Sequence, residues 1–165
     1  MEHKIQIMGF SSAIDNVAGL LSKINTLSGD SCIIQLLNAD GIAGEEHILH
    51  ATHQAIEAFK RKDNIANDLG LEICVRASGQ RQISKAIKLL GLKKGLNNVC
   101  VVTVDCNNEI LKEICSIFKK RNDDILKADE NCLKDIYQIT DGEIETTGDI
   151  TRVMIERTSV LVLET

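Results

Sequence analysis

Short apolar stretches alternate along this chain with segments in which apolar residues recur at helical spacing. The strand-like stretches lie at residues 4–10, 31–37, 71–76, 98–104 and 159–163. The helical segments lie near residues 11–24, 44–61, 78–90, 108–120, 129–139 and 149–156. This alternation predicts one α/β domain over residues 1–165, with a mixed central sheet and helices packed on it. Residues 71–104 are expected to form a strand–helix–strand unit with a right-handed crossover.

The composition narrows the kinds of partner that the domain can bind. Of the 165 residues, 44% are hydrophobic but only 2% are aromatic, so Ile, Leu, Val and Ala must build the core. Stacking of nucleic-acid bases requires aromatic faces. The composition therefore argues against a base-stacking platform.

Six cysteines are present, and none of them forms a CxxC pair. Cys32, Cys74 and Cys100 lie in apolar, strand-like stretches, where cysteine commonly serves as a small hydrophobic residue. No signal-peptide pattern and no apolar stretch long enough to span a bilayer are found. We therefore expect a cytoplasmic protein with free thiols and no membrane partner.

The charge is unevenly distributed, which matters for the search for a binding site. The chain has a net charge of -5, yet residues 71–95 contain six basic residues and one acidic residue. A local charge of +5 in an acidic protein indicates a localised basic surface. Lys85 and Lys88 would continue this surface along the outside of the helix at residues 78–90.

The basic segment begins with Arg-Ala-Ser-Gly-Gln-Arg-Gln at residues 76–82. Here a strand is expected to end and a helix to begin, with Ser78 as its N-cap. The amides of Gly79, Gln80 and Arg81 would then form an anion site, flanked by the guanidinium groups of Arg76 and Arg81. The simpler interpretation is a well-capped helix with solvated arginines. The segment matches neither a GxGxxG nor a Walker motif.

A second group of polar residues lies on the helix at residues 44–61, where His47, His50 and His53 are spaced three apart. A zinc site on a helix normally uses histidines four apart, so we predict no metal site and favour hydrogen-bonded histidines or polar ligand contacts. Ser78 and a histidine could form a nucleophile and base, but no GxSxG elbow surrounds the serine. We predict no catalytic residues, no cofactor and no enzymatic activity.

Two stretches of the chain carry a family resemblance. One is LEICVRASGQRQISKAIKLL at residues 71–90, and the other is EEHILHATHQAIEAF at residues 45–59, preceded by LLNADGIAG. In order and spacing they resemble the small accessory subunit of the KEOPS tRNA-modification complex, in its archaeal type. This family includes the p53-related-protein-kinase-binding protein. The resemblance is detectable over about residues 30–105.

The resemblance implies a non-catalytic role. KEOPS makes N6-threonylcarbamoyladenosine in tRNA, and its small subunit binds the atypical kinase subunit directly and the other subunits indirectly. Archaeal-type members also hold tRNA, notably its single-stranded 3′ CCA end. The alternatives are a regulator of the kinase that does not contact RNA, and an enzyme or sensor that binds an anionic metabolite at Ser78.

The family's motifs identify the residues expected to bind RNA. With Lys85 added from the basic helix, the set is Arg76, Ser78, Gly79, Gln80, Arg81, Gln82, Lys85, His47, His50 and Gln54. His53 stands where the resemblance leads us to expect Asn.

Overall fold

Three strands form one sheet in a computed structural model that describes residues 2–164, with side chains described for residues 2–161. The strands are β1 (Ile5–Ile14), β2 (Ile33–Asn38) and β3 (Gly95–Val104). Their order in the sheet is β1-β3-β2, and both pairings are antiparallel. The prediction of an α/β domain with helices on a central sheet is confirmed. A mixed sheet was expected, whereas the two described pairings contain no parallel pair.

Eight α-helices are present within residues 2–164. They are α1 (Val17–Ser28), α2 (Glu45–Arg61), α3 (Leu69–Ser78), α4 (Ile83–Leu90), α5 (Asn108–Phe118), α6 (Glu130–Tyr137), α7 (Asp141–Thr147) and α8 (Ile150–Glu164). None of these described helices is both long enough and apolar enough to cross a membrane.

Alternation of side chains along β3 produces a core on each face of the sheet. Val99 and Val101 pack with α1 and α5, whereas Cys100 and Val102 pack with α2, α3 and α4. A third apolar cluster joins α6 and α8 to Ala43, just before α2. The start of α2, the end of α3 and α8 therefore meet on one side of the sheet.

The expected strand at residues 71–76 is wrong, because these residues lie inside α3. Asp68 caps this helix by accepting the Leu71 N–H at 2.8 Å. Eight of the ten residues of α3 are buried, so the helix has no polar face to show helical periodicity. The expected right-handed crossover is wrong for the same reason, since no strand precedes α4 in this unit.

Three further expectations about secondary structure need correction. The helix predicted near residues 11–24 begins only at Val17, because residues 11–14 still belong to β1. The helix predicted at residues 78–90 begins only at Ile83, and Ser78 belongs to the preceding helix. The strand predicted at residues 159–163 is the second half of α8. The helix-ending role of Gly91 is confirmed, since its N–H donates to Ile87 O at 2.7 Å.

The sequence had suggested that all six cysteines are free thiols, and this expectation is wrong. Cys32 and Cys106 form a disulfide across 74 residues, while the other four are free. Cys32 immediately precedes β2 and Cys106 closely follows β3, and Ile33 pairs with Val104 in the sheet. Strand pairing therefore brings these two distant cysteines together.

Candidate functional site

The turn between α3 and α4 contains four of the residues expected to bind RNA. We call residues Gly79–Gln82 the 79–82 loop. Gly79 ends α3 in the left-handed conformation, with φ of 68°, and its N–H donates to Arg76 O at 3.2 Å. The expectation of an anion site at a helix start is wrong for Gly79, because this residue follows the C-terminus of α3, and a helix C-terminus carries partial negative charge.

Ser78 is buried at the end of α3, and it does not cap α4 as the sequence had suggested. Its hydroxyl donates to Val75 O at 2.8 Å and accepts the Gln80 N–H at 3.1 Å. The N-cap position of α4 is occupied by Gln82, whose side chain makes no capping hydrogen bond. Ser78 thus shapes the first part of the 79–82 loop from inside the protein.

His47 connects the start of α2 to the end of α3. Its Nδ1 accepts the Ala43 N–H at 2.9 Å, so Nε2 carries the proton and donates to Ala77 O at 3.0 Å. The ring is fully buried, and burial lowers the pKa of His47 from 6.5 to about 4. His47 is therefore neutral at physiological pH and has no surface available for RNA.

His50 is half-buried and lies against α8. Its Nε2 lies 3.0 Å from the Ser159 hydroxyl, which itself donates to Ile155 O at 2.9 Å. The imidazole therefore donates to the serine oxygen, and burial and His53 together lower the pKa of His50. Gln54, one turn further along α2, is also half-buried.

Arg76 is buried inside the core, which corrects the expectation that its guanidinium flanks an exposed anion site. Its Nε donates to a Glu72 carboxylate oxygen at 2.8 Å, and both side chains are fully buried. The other Glu72 oxygen accepts the N–H groups of Ile65 and Ala66. The ion pair thus fixes the segment before α3, and Arg76 cannot contact RNA while the core is closed.

The remaining expected residues lie at or near the surface. Arg81, Gln82 and Lys85 are exposed, whereas Gly79 and Gln80 are half-buried. Lys88, Lys93 and Lys94 are exposed as well, which extends the basic charge along α4 and into the turn after it. The structure therefore brings together an exposed basic part of the expected set, supported by the buried part of the same motif.

Sequence reasoning missed the contribution of α8 to this site. The Thr158 hydroxyl lies 3.0 Å from Arg76 O, and the backbone of Arg157 passes next to Gly79. An N-capping aspartate, Asp149, just before α8 was visible in the sequence. The apolar run that follows Ser159 suggested a strand instead.

The three histidines of α2 do not converge on a common point. His47 uses both ring nitrogens and His50 uses its Nε2 for the hydrogen bonds described above, and His53 is exposed. No group of three His, Cys, Asp or Glu side chains is placed to hold a metal ion in the described part of the chain.

Comparison with known proteins identifies the family. The sequence model of the family described as kinase binding protein CGI-121 matches residues 12–161. The chain belongs to this family. It is 37% identical to the regulatory protein Cgi121 of Methanocaldococcus jannaschii over 79% of this chain and 83% of that protein. It is 32% identical to the KEOPS complex subunit Cgi121 of Pyrococcus abyssi, over 66% of this chain and 60% of that protein.

The CGI-121 match covers the elements that build the site. Residues 12–161 include α2, α3, the 79–82 loop, α4 and α8 through Leu161. The match therefore confirms the family resemblance seen in the two motifs. The relatives' names include a regulatory protein and a subunit of a complex, and neither name specifies a catalytic activity.

Proposed function

We propose that this protein is a non-catalytic accessory subunit of a KEOPS complex. It would bind the atypical kinase subunit directly and the 3′ CCA end of tRNA, and so support formation of N6-threonylcarbamoyladenosine in the cytoplasm. The observation that carries the proposal is the family match over residues 12–161, in a family described as kinase binding. The name of the Pyrococcus relative supports assembly into KEOPS.

The exposed basic surface supports the tRNA part of the proposal. Arg81, Lys85 and Lys88 present positive charge next to the polar side chains of Gln80 and Gln82. Basic side chains bind phosphates through a salt-dependent interaction, and amide side chains can read the edges of unstacked bases. A single-stranded RNA end suits a surface of this kind, which offers hydrogen bonds and charge without aromatic rings.

A regulator of the kinase that does not contact RNA is the second candidate. It is favoured by the burial of His47, Arg76 and Ser78, since three of the ten expected RNA-binding residues lie inside the core. These buried residues of the two motifs would then be required for folding alone. The two candidates differ in whether the purified chain binds tRNA.

The decisive experiment is a fluorescence-anisotropy titration of the chain with labelled tRNA, either intact or lacking its 3′ CCA, at two salt concentrations. We expect binding that weakens on trimming and falls with salt. Equal binding to both RNAs would contradict recognition of the 3′ end. Absence of binding at low salt, together with retained kinase binding, would select the second candidate.

The same titration tests the location of the site with one pair of variants. Arg81→Ala should weaken tRNA binding without unfolding the domain, whereas Arg61→Ala should leave binding unchanged. Arg61 is also exposed, but it ends α2 about 20 Å along the helix from His47. Equal affinities of the two variants would place RNA elsewhere on the protein.

A further inference from the structure

The C-terminal helix α8 lies directly behind the 79–82 loop. We propose that Thr158 on α8 is a positioning residue that fixes this loop in its RNA-binding conformation. The proposal deepens the tRNA-binding function and rests on it. It assigns Thr158 no contact with RNA.

The first observation is a shared hydrogen bond at the end of α3. The Thr158 hydroxyl lies 3.1 Å from Met154 O, one turn earlier in α8, and 3.0 Å from Arg76 O. Arg76 O also accepts the Gly79 N–H, which closes the turn into the loop. Because Thr158 is fully buried, water cannot replace its contact with this carbonyl.

The second observation is the close approach of α8 to Gly79. A Cβ added at Gly79 would lie 3.4 Å from Arg157 Cβ and 3.9 Å from the Arg157 backbone. Gly79 also has φ of 68°, a conformation that L-residues with side chains rarely adopt. The glycine therefore permits the turn, and the backbone and Cβ of Arg157 lie within ordinary van der Waals distance of a Cβ at this position, so α8 is packed against the loop.

The segment of α8 that touches the loop is itself held in place. Arg157 donates to Tyr137 O at 2.9 Å and to a Glu143 oxygen at 3.0 Å. These bonds connect α8 to the end of α6 and to α7. Because these bonds hold α8 in place, α8 can keep the turn at Gly79 in one conformation.

Fixing the loop before RNA arrives should increase affinity. An ordered loop loses less conformational freedom on binding than a mobile loop that makes the same contacts. Thr158, His47 and Ser78 each bond one of the last carbonyls of α3. Thr158 is the one member of this trio on α8, so it connects the loop to the C-terminal helix.

The test compares Thr158→Val with Thr52→Val, which is a closely matched control. Thr52 is also fully buried in a helix, and its hydroxyl donates to the carbonyl four residues earlier, at 2.8 Å from Ile48 O. We expect Thr158→Val to raise the Kd for intact tRNA about three- to tenfold, and Thr52→Val to change it less than about twofold. Thr158→Ser, which retains the hydroxyl, should restore tight binding.

Amide hydrogen exchange separates this proposal from the tRNA-binding function. In the absence of RNA, exchange at Gly79 and Gln80 should be about three- to tenfold faster in Thr158→Val and unchanged in Thr52→Val. If the wild-type chain binds no tRNA, the proposed function fails, and a faster exchange still shows that Thr158 orders the loop. Equal exchange and equal Kd in the two valine variants would overturn the proposal.

Discussion

At the scale of single residues, the polar positions of the two motifs divide into buried and exposed groups. His47, Ser78 and Arg76 bond to the backbone or to Glu72 inside the protein, whereas Arg81 and Gln82 reach the surface. The sequence identifies both groups through their family resemblance but does not separate them. Separation requires knowing that α3 is buried on nearly every side, which depends on tertiary packing.

The buried imidazole of His47 predicts a stability that depends on pH. The pKa of His47 is about 4 in the folded state and near 6.5 when unfolded. The unfolded chain therefore binds the proton more readily, and the free energy of unfolding should fall as the pH drops from 6.5 toward 4. The full loss is about 3 kcal/mol.

Urea unfolding of the wild type and of His47→Gln, measured between pH 7 and pH 4, checks this prediction. Carboxyl groups titrate in both proteins, so the difference between the two pH profiles reports His47. The variant should lack this part of the pH dependence. Parallel profiles would show that His47 does not titrate with a lowered pKa.

At the scale of elements, prediction succeeded where one face of a helix meets water. α2 was predicted closely because its exposed positions Glu46, Leu49 and His53 alternate with buried ones at helical spacing. α3 was predicted as a strand because its run of buried residues has no such period. The second half of α8 was predicted as a strand for a related reason, because the apolar residues 160–163 are consecutive in the sequence.

A protein-binding face is predicted where α2 and α8 pack together. Leu49 and Val160 are 38% and 45% exposed, and they are the neighbours in sequence of the hydrogen-bonded pair His50 and Ser159. In a family described as kinase binding, exposed apolar side chains on two packed helices are suited to a protein partner. We expect this face to contact the kinase subunit.

Leu49→Asp and Val160→Asp should each weaken kinase binding at least about tenfold, because a charge would be buried in the interface. Binding can be measured by calorimetry with the purified kinase subunit, and tRNA affinity should stay within about twofold. Leu96→Asp is the control, since Leu96 is 83% exposed at the start of β3. Loss of binding only in the Leu96 variant would move the kinase to the β3 end of the sheet.

At the scale of the whole molecule, the fold class was predictable and the long-range connections were not. The alternation of strands and helices indicated an α/β domain, but the antiparallel order β1-β3-β2 has no local pattern. The contact of Arg157 on α8 with Gly79 joins residues about 80 positions apart, and the disulfide joins residues 74 positions apart. Such contacts depend on how the elements pack, which their individual sequences do not specify.

The disulfide between Cys32 and Cys106 should stabilise the domain by linking the beginning of β2 to the end of β3. A crosslink closing a loop of this length restricts the unfolded chain, so reduction should lower the free energy of unfolding by about 2–4 kcal/mol. Urea unfolding with and without reductant measures this change. Cys32→Ser should show the lower stability and no response to reductant.

Cys115→Ser is the matched control, because Cys115 is one of the four free cysteines and its replacement should preserve the response to reductant. Peptide mapping under non-reducing conditions should recover Cys32 and Cys106 in one linked fragment. Six reactive thiols in the unfolded, unreduced protein, with an unfolding midpoint that reductant does not change, would contradict the disulfide. The strand pairing of Ile33 with Val104 would then have to hold this edge of the sheet without a covalent link.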